Sequence, residues 1–131
     1  MGEARIVRPG TDVTLVAYGP MVKVALHAAE ADTERSIEVI DLRSLSPVDY
    51  DTVYESVRRT GRLVVTHEAP VTSGLGAEIA ARVTEACFYH LEAPVIRVGG
   101  FDTPYPPSRL EEYYLPDLDR VLDGVDRTFA Y

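Results

Sequence analysis

Short, continuous apolar runs alternate along the chain with segments in which apolar residues return every three or four positions. The runs are Val13-Thr14-Leu15-Val16-Ala17-Tyr18, Ile37-Glu38-Val39-Ile40, Leu63-Val64-Val65-Thr66 and Pro94-Val95-Ile96-Arg97-Val98. Each is brief and rich in β-branched residues, which predicts strands buried on both faces. Between and after them, four stripes predict helices. These stripes are Val22, Ala25, Leu26, Ala29; Tyr50, Val53, Tyr54, Val57; Leu75, Ile79, Val83, Cys87; and Leu118, Val121, Leu122, Val125, Phe129.

Breakers fall where those elements need them. Gly19-Pro20 ends the first run, and Pro20 suits the first turn of a helix. Ser46, Pro47 and Asp49 fit an N-cap, a first helical position and a capping-box acid. Gly61 closes that helix immediately before the next strand. Residues 1–11, with a Pro9-Gly10 turn, read as a connector into the fold, and residues 99–107 hold too much Pro and Gly for regular structure. Strands alternating with helices over short links predict one α/β domain spanning residues 1–131. Its expected form is a three-layer sandwich around a mostly parallel, doubly wound sheet of four to five strands.

Composition narrows the chemistry. The 131 residues suffice for one ordinary core, and 46% are hydrophobic, which excludes a disordered polyelectrolyte. No run approaches the roughly 20 apolar residues of a membrane span, and the first ten residues lack a signal core. A cytoplasmic location is the expectation. Cys87 is the single cysteine, so neither a disulfide framework nor a cysteine-rich metal site is available. The net charge of −8 opposes nucleic-acid binding and suits a basic partner, or solubility alone.

The stretch from Arg62 to Cys87 carries the candidate chemistry. His67 and Glu68 follow a buried run, where ligands of parallel sheets gather. They could be a base beside an acid or two metal ligands, but no H-x-x-x-H or H-E-x-x-H pattern supports a metal. Ser73 has no G-x-S-x-G elbow. A strand-end His and Glu that fix a loop or meet another subunit is the favoured reading. Gly74-Leu75-Gly76 begins like a dinucleotide fingerprint, yet Ile79 stands where the third glycine belongs. Close packing of the turn against the sheet is favoured there. Cys87 falls on an apolar stripe and reads as core. Between Glu111 and Asp126 six acids, Glu111, Glu112, Asp117, Asp119, Asp123 and Asp126, accompany one base, Arg120. They read either as a solvated helix face or as a docking surface for a basic module.

Four segments, D-L-R-S-L-S-P-V-D, H-E-A-P-V-T-S-G-L-G-A-E-I, L-E-A-P-V-I-R-V and G-F-D-T-P-Y-P, resemble one known family. This is the transketolase C-terminal domain, as found in β subunits of thiamine-dependent 2-oxo acid dehydrogenases, and the resemblance runs from about Arg5 to Tyr131. H-E-A-P, C-F-Y-H-L-E-A-P and G-F-D-T-P-Y-P look more like the branched-chain type than the pyruvate type. The resemblance implies an α₂β₂ decarboxylating component that uses thiamine diphosphate and Mg²⁺ and passes an acyl group to a lipoyl arm. The chain has no G-D-G diphosphate motif and no pyrimidine-binding half. It is therefore expected to be part of a longer β subunit, to bind no cofactor alone and to have no catalytic residue. Its implied partners are the α subunit, a second β subunit and the basic subunit-binding domain of the acyltransferase. His67, Glu68, Phe101, Asp102 and Tyr105 are the candidate subunit-interface residues. Glu111, Glu112, Asp119, Asp123, Asp126 and Tyr131 are the candidate docking residues. Two other classes stay open on the residues themselves: a stand-alone acidic interaction module, and a small nucleotide-binding enzyme using the Gly74/Gly76 turn.

Overall fold

The apolar runs become the strands of one sheet. The computed structural model describes residues 3–45, 47–70, 74–100 and 117–131. Its strands are β1 (Arg5–Arg8), β2 (Val13–Ala17), β3 (Ile37–Asp41), β4 (Leu63–Pro70) and β5 (Ile96–Gly100). Its helices are α1 (Met21–Ala31), α2 (Tyr50–Thr60), α3 (Leu75–Cys87) and α4 (Leu118–Thr128), with a 3₁₀ turn over Phe88–His90. The sheet order is β1-β3-β2-β4-β5, with β1 antiparallel to β3 and the other neighbours parallel.

Each side chain's place follows the period of two. Leu15, Val39, Val64 and Val98 pack on one face with Ala25 and Ala29 of α1 and Val121 and Val125 of α4. Val16, Ile40, Leu63 and Val65 pack on the other with Val53 and Val57 of α2 and Ile79, Val83 and Cys87 of α3. This is the expected three-layer, doubly wound sandwich. From β2 the chain steps outward to β3, then returns to place β4 on β2's opposite side. The direction of winding therefore reverses between β2 and β4, where sheets of this type form their crevice.

Glu38 and Thr14 bring polar atoms into the second core face, and both find partners. Glu38 is nearly buried, yet its carboxylate accepts from Ser56 Oγ, from an Arg59 guanidinium N–H at 2.9 Å and from the Gly10 amide at 3.3 Å. Ser56 spends its proton on that carboxylate, so the 2.7 Å contact to Thr14 is donated by Thr14. Thr14 Oγ1 is then left to accept from Thr60 at 2.8 Å, and Thr60 Oγ1 also lies 3.1 Å from Arg62 O, so its one proton is shared between the two acceptors. The chain Thr60 to Thr14 to Ser56 to Glu38 pairs each of its three hydroxyls, any of which would cost about 1–3 kcal/mol if left alone in the core. Gly10 is glycine of necessity, because a Cβ there would lie 2.4 Å from the backbone nitrogen of Glu38.

Three expectations change. Residues 1–11 are not simply a connector, since Arg5–Arg8 pairs with β3 as an antiparallel edge strand. The second helix does not start at Ser46 and Pro47; it starts at Tyr50 with Asp49 as its N-cap, and Ser46 lies outside the described residues. The reason is that Asp49 has better partners than a capping box would give it. Its carboxylate accepts from the Thr52 amide at 3.2 Å, the Thr52 hydroxyl at 2.6 Å and the Ala4 amide at 2.9 Å. Finally, the third parallel strand does not stop at Thr66 but continues to Pro70, held by pairing with β5 on either side of a register shift.

Candidate functional site

The carboxyl edge of the sheet gathers the ends of β2 and β3, the last half of β4 and the start of α3. Tyr18 follows β2 directly. Its ring centroid lies 6.1 Å from that of His67, tilted by 32°, so these two rings sit across the β2–β4 reversal. Burial pushes the Tyr18 phenol above its usual range, and the negative charge of Glu68 adds to the effect. Tyr18 was not singled out from the sequence. The available signal was its position as the last residue of the first buried run, one residue before Gly19.

His67 is inside the protein rather than at a loop tip. It is fully buried on the α2/α3 side, and longer β4 is what carries it there. Gly76, in the first turn of α3, is buried against it: a Cβ at Gly76 would come within 2.6 Å of His67 Nε2 and 3.5 Å of Val65 Cγ1. Gly76 thus lets α3 lie directly on β4, which is the close-packing role expected of the glycine turn. Its space is taken by an imidazole. Glu68, the next residue, is half-buried.

Beside them, the chain leaves β3 through a tight turn. Ser44 N–H donates to Leu42 O at 2.6 Å, closing a three-residue turn whose centre, Arg43, has φ +62°. Arg43 is the one non-glycine residue with positive φ among the described residues. Buried Leu42 anchors the start of the turn, and Asp41 just before it accepts from the Arg43 amide at 3.0 Å. Among the described residues no group of three or more His, Cys, Asp or Glu is arranged to hold a metal ion.

The acidic C-terminal segment is resolved into separate duties. Asp117 caps α4 by accepting from the Arg120 amide at 2.9 Å. Asp126 is paired with Arg35 from the α1–β3 link. Asp119 and Asp123 are exposed and flank a small cleft that also takes in Arg97, Arg120 and Arg127, so three cations accompany the acids there. Tyr131 is exposed, one residue beyond the Phe129–Ala130 pair that ends the helix. Arg35 and Arg62 both lie 4.2 Å from the Phe129 ring centroid, a double cation–π contact that fixes this end of α4. Phe101, Asp102, Tyr105, Glu111 and Glu112 lie outside the described residues. The structure therefore brings His67 and Glu68 together with Tyr18 at the sheet's carboxyl edge. Asp119, Asp123, Asp126 and Tyr131 form a separate group on and after α4.

Cys87, on the α3 stripe, is fully buried with its sulfur 3.7 Å from Tyr54 O, and burial pushes the thiol's pKa up. It is core, as its position on the stripe predicts.

Known proteins match this chain in both sequence and fold. Residues 2–121 match the family described as Transketolase, C-terminal domain. The chain is 61% identical over 130 residues to the pyruvate dehydrogenase E1 component subunit beta of Leifsonia xyli subsp. xyli, covering 98% of this chain and 39% of that protein. It is 55% identical over 130 residues to the 3-methyl-2-oxobutanoate dehydrogenase subunit beta of Mycobacterium tuberculosis, covering 97% and 37%. A solved structure titled "Split gene transketolase, inactive beta4 tetramer" superposes with a TM-score of 0.81 at 33% identity, over 97% of this chain and 41% of that one. The chain spans about two-fifths of the length of these relatives. With the five-stranded doubly wound sheet, the glycine-packed α3 and a family match over nearly all its residues, the chain belongs to the transketolase C-terminal domain family.

Proposed function

We propose that this chain serves as the C-terminal domain of the β subunit of a thiamine-dependent 2-oxo acid dehydrogenase, acting in assembly and docking rather than in the chemical step. The observation that carries the reading is the 61% identity to an E1 β subunit over essentially the whole chain. Relatives of both the pyruvate and the branched-chain name match, so the reading extends to 2-oxo acids as a class. In the complete enzyme, thiamine diphosphate with Mg²⁺ would supply the carbanion chemistry at 2-oxo acid carbonyls, and that cofactor is held outside this domain.

The partners in this reading are an α subunit, a second β subunit and the basic subunit-binding domain of the acyltransferase. Two observations support α4 as the docking element. Asp119 and Asp123 are exposed on a helix whose other acids are engaged in a cap and an ion pair, and the chain as a whole carries −8. Exposed charge of this kind speeds encounter and selects the partner, and it is screened by salt. Surface plasmon resonance with an immobilised basic subunit-binding domain tests it. Raising salt from ~0.05 to ~0.5 M should slow association, and Asp119→Lys with Asp123→Lys should slow it further at low salt. Binding that ignores both salt and charge reversal would leave Asp119 and Asp123 as solvated residues and refute the docking assignment.

A further inference from the structure

Asp126 differs from its neighbours on α4 in being paired and open at once. Asp119, Asp123 and Asp126 stand at i, i+4 and i+7, so they share one face of the helix. A guanidinium from outside the helix, that of Arg35 in the α1–β3 link, pairs with Asp126, whose side chain nevertheless stays 65% exposed. The Arg35 side chain is 24% exposed and is held by groups that do not depend on Asp126. Its guanidinium lies 4.2 Å from the Phe129 ring centroid and 3.8 Å from the Asp32 carboxylate. Asp32 also accepts from the Arg35 amide at 3.2 Å and the Glu34 amide at 3.0 Å, which fixes the backbone that carries Arg35.

We propose that Arg35 is a built-in competitor for the acidic face of α4: it holds the Asp126 carboxylate and so lowers the affinity of that face for a basic partner. The inference rests on the docking reading above and adds its regulation. Asp119 and Asp123 are exposed and meet a partner's Lys or Arg directly. At Asp126 the same cation must share a carboxylate that a guanidinium already holds. Arg35 does not swing aside at no cost, because leaving Asp126 would not release it from the Phe129 ring or from Asp32. The open side of Asp126 admits the partner, and the fixed guanidinium limits what the partner gains there. Exposed ion pairs are weak, so the contact trims affinity by about two- to fivefold and does not close the face.

Surface plasmon resonance of the 131-residue chain on the immobilised basic subunit-binding domain tests it. Arg35→Met keeps an apolar stem on the Phe129 ring and should tighten binding by about two- to fivefold. Arg82→Met makes the same charge change on the exposed side of α3, in the other helical layer, and should move the affinity less. A cycle with Asp126→Asn separates local competition from net charge. Its cost to binding should be larger in the Arg35→Met chain, by about two- to fivefold, because only there does the partner take the carboxylate alone. Circular dichroism verifies that each variant keeps the fold. Binding no tighter in Arg35→Met than in the parent chain, an equal gain in Arg82→Met, or an equal cost of Asp126→Asn in both backgrounds overturns the proposal. Those results leave the docking reading standing wherever Asp119→Lys with Asp123→Lys still slows association. Indifference to that reversal sinks the docking reading, and the proposal with it.

Discussion

Asp49 shows how much one side chain organises at the residue scale. It caps α2 through Thr52 and, through the Ala4 amide, ties the entry of β1 to the start of α2. The Thr52 hydroxyl chiefly, with the Ala4 and Thr52 amides, holds its carboxyl below the usual range against the opposing pull of burial. A depressed carboxyl pKa stabilises the fold above the unfolded value of about 4, and the contribution is lost as pH falls through the folded value. Asp49→Ala should cost about 1 kcal/mol in urea denaturation at pH 7, typical of a lost N-cap. The gap between the two proteins should then shrink as pH falls below the unfolded value of about 4, and a gap independent of pH would show that the carboxylate is not the cap's active form. The sequence carries Asp49 as a helix-start acid but misplaces its duty. The competing Ser46-Pro47 signal is local, whereas Asp49 draws on Ala4, 45 residues away. Glu38 was not singled out in the sequence: it stands inside the run Ile37-Glu38-Val39-Ile40, and no periodicity reveals that Ser56, Arg59 and Gly10 are its partners.

Among the elements, the β4–α3 unit is the one whose packing the sequence described best and whose extent it described least. The apolar run and the four-residue stripe fix a strand followed by a helix. Pairing with β5 then carries the strand through polar His67 and Glu68 to Pro70, which no apolar count could foresee. This extension turns His67 from a candidate at a loop into a buried part of the α3 seat. Gly76→Ala should therefore destabilise by about 1–3 kcal/mol, because the buried ring, although at the end of a side chain, has nowhere to move. His67→Ala in the same chain opens the space that the new Cβ needs. The double variant should be more stable than the sum of the two single losses predicts, a coupling readable by thermal or urea unfolding. Strict additivity would mean that Gly76 and His67 do not share the contact. The antiparallel β1 was hidden for a related reason: Arg5-Ile6-Val7-Arg8 is too short and too charged to stand out, and β3 alone makes it a strand.

For the whole molecule, alternation of strand and helix carried the layer order, and the motif set carried the family. What neither carries is which faces other polypeptides cover, because those faces have no period of their own. The molecule exposes two unlike surfaces: an alanine-lined groove with Phe88 and Tyr89 at its rim, and a charged α4 bearing Asp119 and Asp123. The chemical groups at the carboxyl edge of the sheet are meanwhile packed inward, with His67 under α3 and Tyr18 against it. A buried His67 at the sheet's carboxyl edge beside unlike outer surfaces is consistent with the proposed role in assembly. The measurement that tests this most directly is the mass of a chimera. The corresponding C-terminal part of the Leifsonia xyli β subunit, 61% identical to this chain, is replaced by residues 3–131 and co-expressed with its α subunit. Light scattering coupled to size-exclusion chromatography should give the mass of a heterotetramer. A folded chimera that elutes apart from the α subunit would contradict the account.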